Sequence, residues 1–154
     1  MEHYIRLADE VPNIAAVKNP GISVVELQEF HSRELPIEFY NLEFAYGFAS
    51  LLNPTGLLIS LCNLNYRQAR KYFDAGTRRD LTEISAIHRD LEVVNRTLFE
   101  KVPPGKIDGS YDKLFQKYHL PEFPLRLFPP YESVSDEHFA AFADAIRSAL
   151  PEWG

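Results

Sequence analysis

The chain has 154 residues, 45% of them hydrophobic and 25% charged, which suits one globular domain with a real core and excludes a disordered chain. Its net charge of −6 argues against general nucleic-acid binding, which needs lysine and arginine to displace condensed counterions. The single cysteine, Cys62, excludes an internal disulfide and a cysteine-built zinc site.

In chain order, Met1 to Val11 predicts a helix with Tyr4, Ile5, Leu7 and Ala8 on one side. A chain opening inside a helix suggests that something precedes it in its relatives. The segment is charged and has no apolar core of the kind a signal peptide needs, and no apolar run is long enough to span a bilayer. A reducing, cytoplasmic setting is therefore expected.

Asn13 to Val17 reads as a short buried strand ending in Lys18, broken at once by Asn19-Pro20-Gly21. A parallel strand covered on both faces gives such a continuous apolar run. With period two, Ile14, Ala16 and Lys18 share a face, and Ala16 leaves room beneath the amine. Lys18 stands at the carboxyl end of its strand, where parallel α/β folds place their chemistry. A lysine there either leads into solvent or, when desolvated, becomes a nucleophile able to form a Schiff base. The strand alone does not decide between these.

Ser23 and Glu26 form a capping box for a helix carrying Val24, Leu27 and Phe30. Ile37 to Asn41 is a second strand, and Phe44 to Leu52 an apolar helix closed by Asn53-Pro54-Thr55-Gly56. Leu57 to Cys62 reads as a third buried strand, with Cys62 a small buried residue at its end. Leu64 to Ala75 resumes helix and stops at Gly76. Strands alternating with helices predict a parallel sheet joined by right-handed crossovers, on the scale of barrel units.

From Asp80 onward no strand is expected. Asp80 to Glu100 places Leu81, Ile84, Ile87, His88, Leu91, Val94 and Leu98 on one face. Lys106 to Tyr118 follows with Ile107, Tyr111, Leu114 and Phe115 inward. Pro121 to Tyr131 is proline-rich and irregular, and Ser135 caps a last helix carrying Phe139, Phe142, Ile146 and Leu150.

This order resembles the C-terminal half of the dihydrodipicolinate synthase and N-acetylneuraminate lyase family of pyruvate-dependent class I aldolases. The likeness rests on Leu7 to Lys18, Gly56 to Asn63, Tyr72 to Leu81, and Leu125-Arg126-Leu127-Phe128-Pro129-Pro130-Tyr131. It implies an α/β fold: the C-terminal part of a (β/α)8 barrel, about three parallel strands with helices, plus a helical appendage. Residues 1–79 would be barrel strands six to eight with their helices, and residues 80–154 the appendage. It also implies that Lys18 is the catalytic Schiff-base lysine acting on pyruvate or a related 2-keto acid, with no cofactor and no metal. The family's carboxylate-binding loop and strand-five tyrosine lie before the start of this chain, and Asn41-Leu42-Glu43 stands where a glycine–acid pair is usual. A partner supplying the other strands, or a homo-oligomer, is therefore expected. The alternative is a non-catalytic barrel fragment serving as an interaction or scaffold protein.

Other residues have plainer readings. Arg67, Arg70, Lys71, Arg78 and Arg79 suit a solvated basic face. His3, His31, His119 and His138 lack metal-ligand spacing, and Ser60 has no nucleophile-elbow context. Tyr40 either points near Lys18 from the neighbouring strand or fills a core layer.

Overall fold

The computed structural model describes residues 2–19 and 23–153. Helix α1 (Glu2–Glu10) leads to strand β1 (Ala16–Asn19), helix α2 (Val24–Ser32), strand β2 (Glu38–Asn41), helix α3 (Glu43–Leu52) and strand β3 (Gly56–Leu57). Helices α4 (Leu61–Leu64), α5 (Tyr66–Arg78), α6 (Leu81–Lys101), α7 (Asp108–His119) and α8 (Asp136–Ala149) follow, with a final 3-10 turn at Pro151–Trp153. The strands form one sheet in the order β1-β2-β3, all parallel. The break after Lys18 at Pro20-Gly21 lies outside the described residues.

The chain divides into two compact units. The first comprises Met1–Ile59 and Tyr72–Ser85, the second Ser60–Lys71 and Ala86–Gly154.

In the first unit, the sheet buries one face. Phe39 packs with Phe30 of α2 and with Ile37, and Tyr4, Ala8, Ile14, Val17 and Leu35 close around them. Phe30 and Phe39 pack against each other nearly edge to face, their ring centroids 4.1 Å apart. The capping box starts α2 as the sequence predicts: the Glu26 amide donates to Ser23 Oγ at 3.2 Å and the Ser23 amide donates to Glu26 Oε2 at 2.9 Å. Asn41 is buried and its Nδ2 donates to Thr55 Oγ1 at 2.7 Å, while Thr55 Oγ1 donates to the Phe39 carbonyl at 2.9 Å. These bonds tie the chain entering β3 to β2.

Four expectations need correction here. The Lys18 strand is not covered on both faces: Ile14 and Val17 are half-buried, and Ala15 and Ala16 are exposed. Ile14 also packs on the helix-covered side with Val17, because β1 begins only at Ala16 and the period-two alternation does not reach back past the Pro12-Asn13 turn. The third strand is two residues long, and Leu61–Leu64 is helical with Cys62 exposed. A short apolar run does not by itself distinguish strand from helix.

Gly76 does not end its helix. A Cβ there would fall 2.6 Å from Cζ of Tyr46, so glycine serves close approach of the Tyr46 ring inside α5. The Tyr46 hydroxyl donates to the Phe73 carbonyl at 2.8 Å, and the Tyr72 hydroxyl donates to the Glu43 carbonyl at 2.6 Å. Burial pushes both phenols up from their ordinary range. The stop falls three residues later, where Arg79 takes a left-handed φ of +55°. The Asp80 amide donates to Ala75 O at 2.9 Å and the Arg79 amide to Gly76 O at 3.0 Å, the paired bonds of a Schellman ending.

In the second unit, Ile87, Leu91, Val94 and Leu98 are buried along α6, with Leu114 and Phe115 on α7 and Phe142 and Ile146 on α8. Two predicted core residues differ. Leu81, which belongs to the first unit, is 59% exposed, since it opens its helix before the buried stripe begins, and Ile107 is 41% exposed at the N-cap of α7. The proline-rich segment is irregular, as expected, because proline donates no backbone bond. Its carbonyls are engaged by two lysines four apart on α7. Lys113 Nζ donates to the Arg126 carbonyl and Lys117 Nζ to the Pro121 carbonyl, each at 2.8 Å. The Ser135 cap of α8 is present, its Oγ accepting from the His138 amide at 3.2 Å.

Two half-buried histidines give the fold a pH dependence. Desolvation lowers the pKa of His31, against a smaller opposing pull from Glu38, and desolvation alone lowers that of His88. The unfolded chain therefore binds protons more readily than the folded one between the depressed values and about 6.5. Stability is expected to fall as pH drops through that window. His31→Gln should flatten part of the slope in urea titrations taken between neutral and mildly acidic pH; an unchanged slope would remove His31 from the account.

Candidate functional site

Parallel strands in register project paired side chains from the same face of a sheet. The pairs are Ala16 with Glu38, Val17 with Phe39, and Lys18 with Tyr40. Val17 and Phe39 turn toward the helices. Ala16, Lys18, Glu38 and Tyr40 are all exposed on the opposite face. Next to them, Tyr40 pairs with Gly56 of β3, and Leu58 beyond it is 45% exposed. The first unit thus presents a bare sheet face with an amine, a phenol and a carboxylate on it.

Each strand is placed by its flanks. The Glu38 amide donates to Ala15 O at 2.8 Å just before β1, which sets the register that brings Tyr40 beside Lys18. Gly56 lets the Tyr40 ring lie down: a Cβ at Gly56 would stand 2.7 Å from Cδ1 and 2.9 Å from Cγ and Cε1 of that ring. Ala16, one pleat before Lys18, keeps the face low under the amine, as its size predicts. Lys18, Ala16 and Tyr40 are legible as candidates in the sequence, whereas Glu38 and the Tyr40–Gly56 contact emerge in the structure. Glu38 alternating with Phe39 was the available signal for the first; the second depends on register, which no local pattern carries.

At the amino end of β2 a cavity of about 310 Å³ is lined by Phe30, His31, Glu34, Leu35, Ile37, Glu38, Phe39, Asn53 and Pro54. It is floored by the aromatic cluster and belongs to the end of the sheet away from Lys18. The basic residues Arg67, Arg70, Lys71, Arg78 and Arg79 are exposed, and Arg78 pairs with Glu83 at 2.6 Å. His119 Nε2 bonds the Leu64 carbonyl and His138 Nδ1 lies 2.8 Å from Ser135 Oγ. Among the described residues, no group of three or more His, Cys, Asp or Glu side chains is placed to hold a metal ion. No described helix is long and apolar enough to cross a membrane.

Solved structures match this arrangement, among them the following two. Dihydrodipicolinate synthase from the commensal bacterium Bacteroides thetaiotaomicron superposes with a TM-score of 0.70 at 15% identity, over 94% of this chain and 49% of its own. The protein described as KD(P)GA from T. tenax gives a TM-score of 0.73 at 15% identity, over 96% of this chain and 50% of its own. The chain has the fold of about half a (β/α)8 barrel. It spans about half the length of the structures it matches. No family model matches the sequence, and no curated protein matches it.

The half-barrel explains why one sheet face is bare. In a closed barrel that face lines the interior, where side chains from all eight strands pack in layers. Three strands provide only part of each layer, so Ala16, Lys18, Glu38 and Tyr40 stand open. The corrected exposure of the Lys18 strand follows from this.

Proposed function

We propose that this chain carries the imine-forming portion of a class I aldolase or lyase site, with Lys18 as nucleophile toward pyruvate or a related 2-keto acid. The observation that carries the reading is the placing of Lys18: near the carboxyl end of a parallel strand, on the bare face, with alanine one pleat before it. In this reading residues 1–79 are barrel strands six to eight with their helices, residues 80–154 are the appendage, and the protein works in a cytoplasmic setting.

The chemistry asks three things of the site. The amine must lose its proton, attack the keto carbon, and expel water to leave an iminium that draws electrons from the adjacent carbon. A dry pocket favours the neutral amine. The bare face is open to water, so efficient chemistry requires the remaining strands of the barrel, from a partner polypeptide or from more of the same one. Pyruvate with borohydride tests the assignment: the reduced adduct should map to the peptide containing Lys18. Adducts confined to Lys71 or Lys106 would refute it.

The bare face and the two unpaired sheet edges also bear on assembly. Among the described residues β1 and β3 each have one neighbour only. Open edges and uncovered apolar side chains such as Leu58 promote association. Sedimentation of the 154 residues should show self-association, or capture of a barrel-completing partner; a cooperative 17.7 kDa monomer would contradict this.

A further inference from the structure

The Tyr40 side chain has a role that its register makes specific. It is the direct neighbour of Lys18 across β1–β2 and of Gly56 across β2–β3, on the face that carries the amine. A Cβ at Gly56 would overlap its ring at 2.7 Å, so the ring reclines on the backbone of β3 and leans away from Lys18. It stays 41% exposed.

From this geometry we infer that Tyr40 is the wall that sets how large a carbonyl compound can reach Lys18, with Gly56 as the recess that determines where the wall stands. The inference rests on the aldolase reading in taking Lys18 as the reacting amine. The ring bounds the space beside Lys18 on the β2 side, and a small 2-keto acid asks less of that space than a branched one. A branched chain on the keto carbon meets the ring edge. Filling the recess at Gly56 pushes the ring upright toward Lys18, and shortening Tyr40 removes the barrier. The two changes therefore act in opposite directions, which a purely structural role would not produce.

Reductive alkylation of the full chain tests this without requiring turnover. The lysine nitrogen bonds to the keto carbon with loss of water, and cyanoborohydride then delivers hydride to the imine carbon. Pyruvate and 4-methyl-2-oxopentanoate are compared by the rate of labelling at Lys18, each divided by the rate at Lys101, an exposed lysine at the end of α6. Tyr40→Ala should raise the branched-to-small ratio at Lys18 by about tenfold, the discrimination one apolar contact provides. Gly56→Ala should lower the ratio, and Tyr40→Phe, which keeps the ring, should leave it unchanged. An unchanged or reduced ratio in Tyr40→Ala overturns the proposal, and so does a Tyr40→Phe effect as large as that of Tyr40→Ala. Equal pyruvate rates at Lys18 and Lys101 would count against the aldolase reading alone, since the size ratio still reports on the wall.

Discussion

Lys18→Arg should abolish the borohydride-trapped pyruvate adduct on its peptide, while the fold is retained. Lysine and arginine carry the same charge on stems of similar length, and Lys18 is exposed, so exchanging them disturbs little packing. They differ in what the reaction needs. An amine gives up its proton when its surroundings dry out, whereas a guanidinium stays protonated in proteins and offers no lone pair to a keto carbon. Circular dichroism and urea midpoints should match those of the parent chain. The contrast should be largest where a partner closes the barrel, because desolvation then favours the neutral lysine and leaves arginine charged. Persistent trapping on the same peptide in Lys18→Arg would show that another nucleophile reacts there and would end the assignment.

Trp153→Ala should cost the second unit about 3–5 kcal/mol, the range for deleting a fully buried large aromatic side chain. Trp153 is wholly inaccessible to solvent, although it is the penultimate residue of the chain. Its Nε1 donates to Asp90 Oδ2 at 3.3 Å, and its carbonyl accepts from Asn65 Nδ2 at 3.0 Å. It thereby links the last turn both to α6 and to the stretch between α4 and α5. Truncation opens a cavity and leaves Asp90 without that donor. Since a domain of this size holds only about 5–15 kcal/mol in all, the loss should move the urea midpoint far down with the slope unchanged. The chain has one tryptophan, so helical circular dichroism must report the transition. Trp153→Phe should recover most of the loss, and a small effect in Trp153→Ala would mean that the last turn contributes little to the core.

The local patterns of the sequence determined much of this protein. The long helix α6 was legible because Ile84, Ile87, Leu91, Val94 and Leu98 recur at helical spacing, and a helix declares its buried face within a few turns. The capping residues Ser23 and Ser135 were legible because a side-chain oxygen bonding an amide three residues on is a local event. The order of strand and helix, and Lys18 near a strand end, could likewise be read from short-range alternation. Other features were decided only by tertiary structure. Whether Leu57 to Cys62 would be strand or helix depended on what lay beside it, and the short apolar run was compatible with both. Gly76 looked like a helix stop because the ring it accommodates, that of Tyr46, lies thirty residues earlier in the sequence. Tyr40 became the neighbour of Lys18 through a parallel register set across a whole helical crossover, and its ring settled on Gly56 because that residue has no side chain. The exposure of Ala16 was also beyond local pattern, and that of Lys18 was one of two readings the strand left open. An apolar strand pattern records which faces can be covered, whereas the covering of a barrel face is done by strands distant in sequence, and here the three strands of the sheet leave that face open.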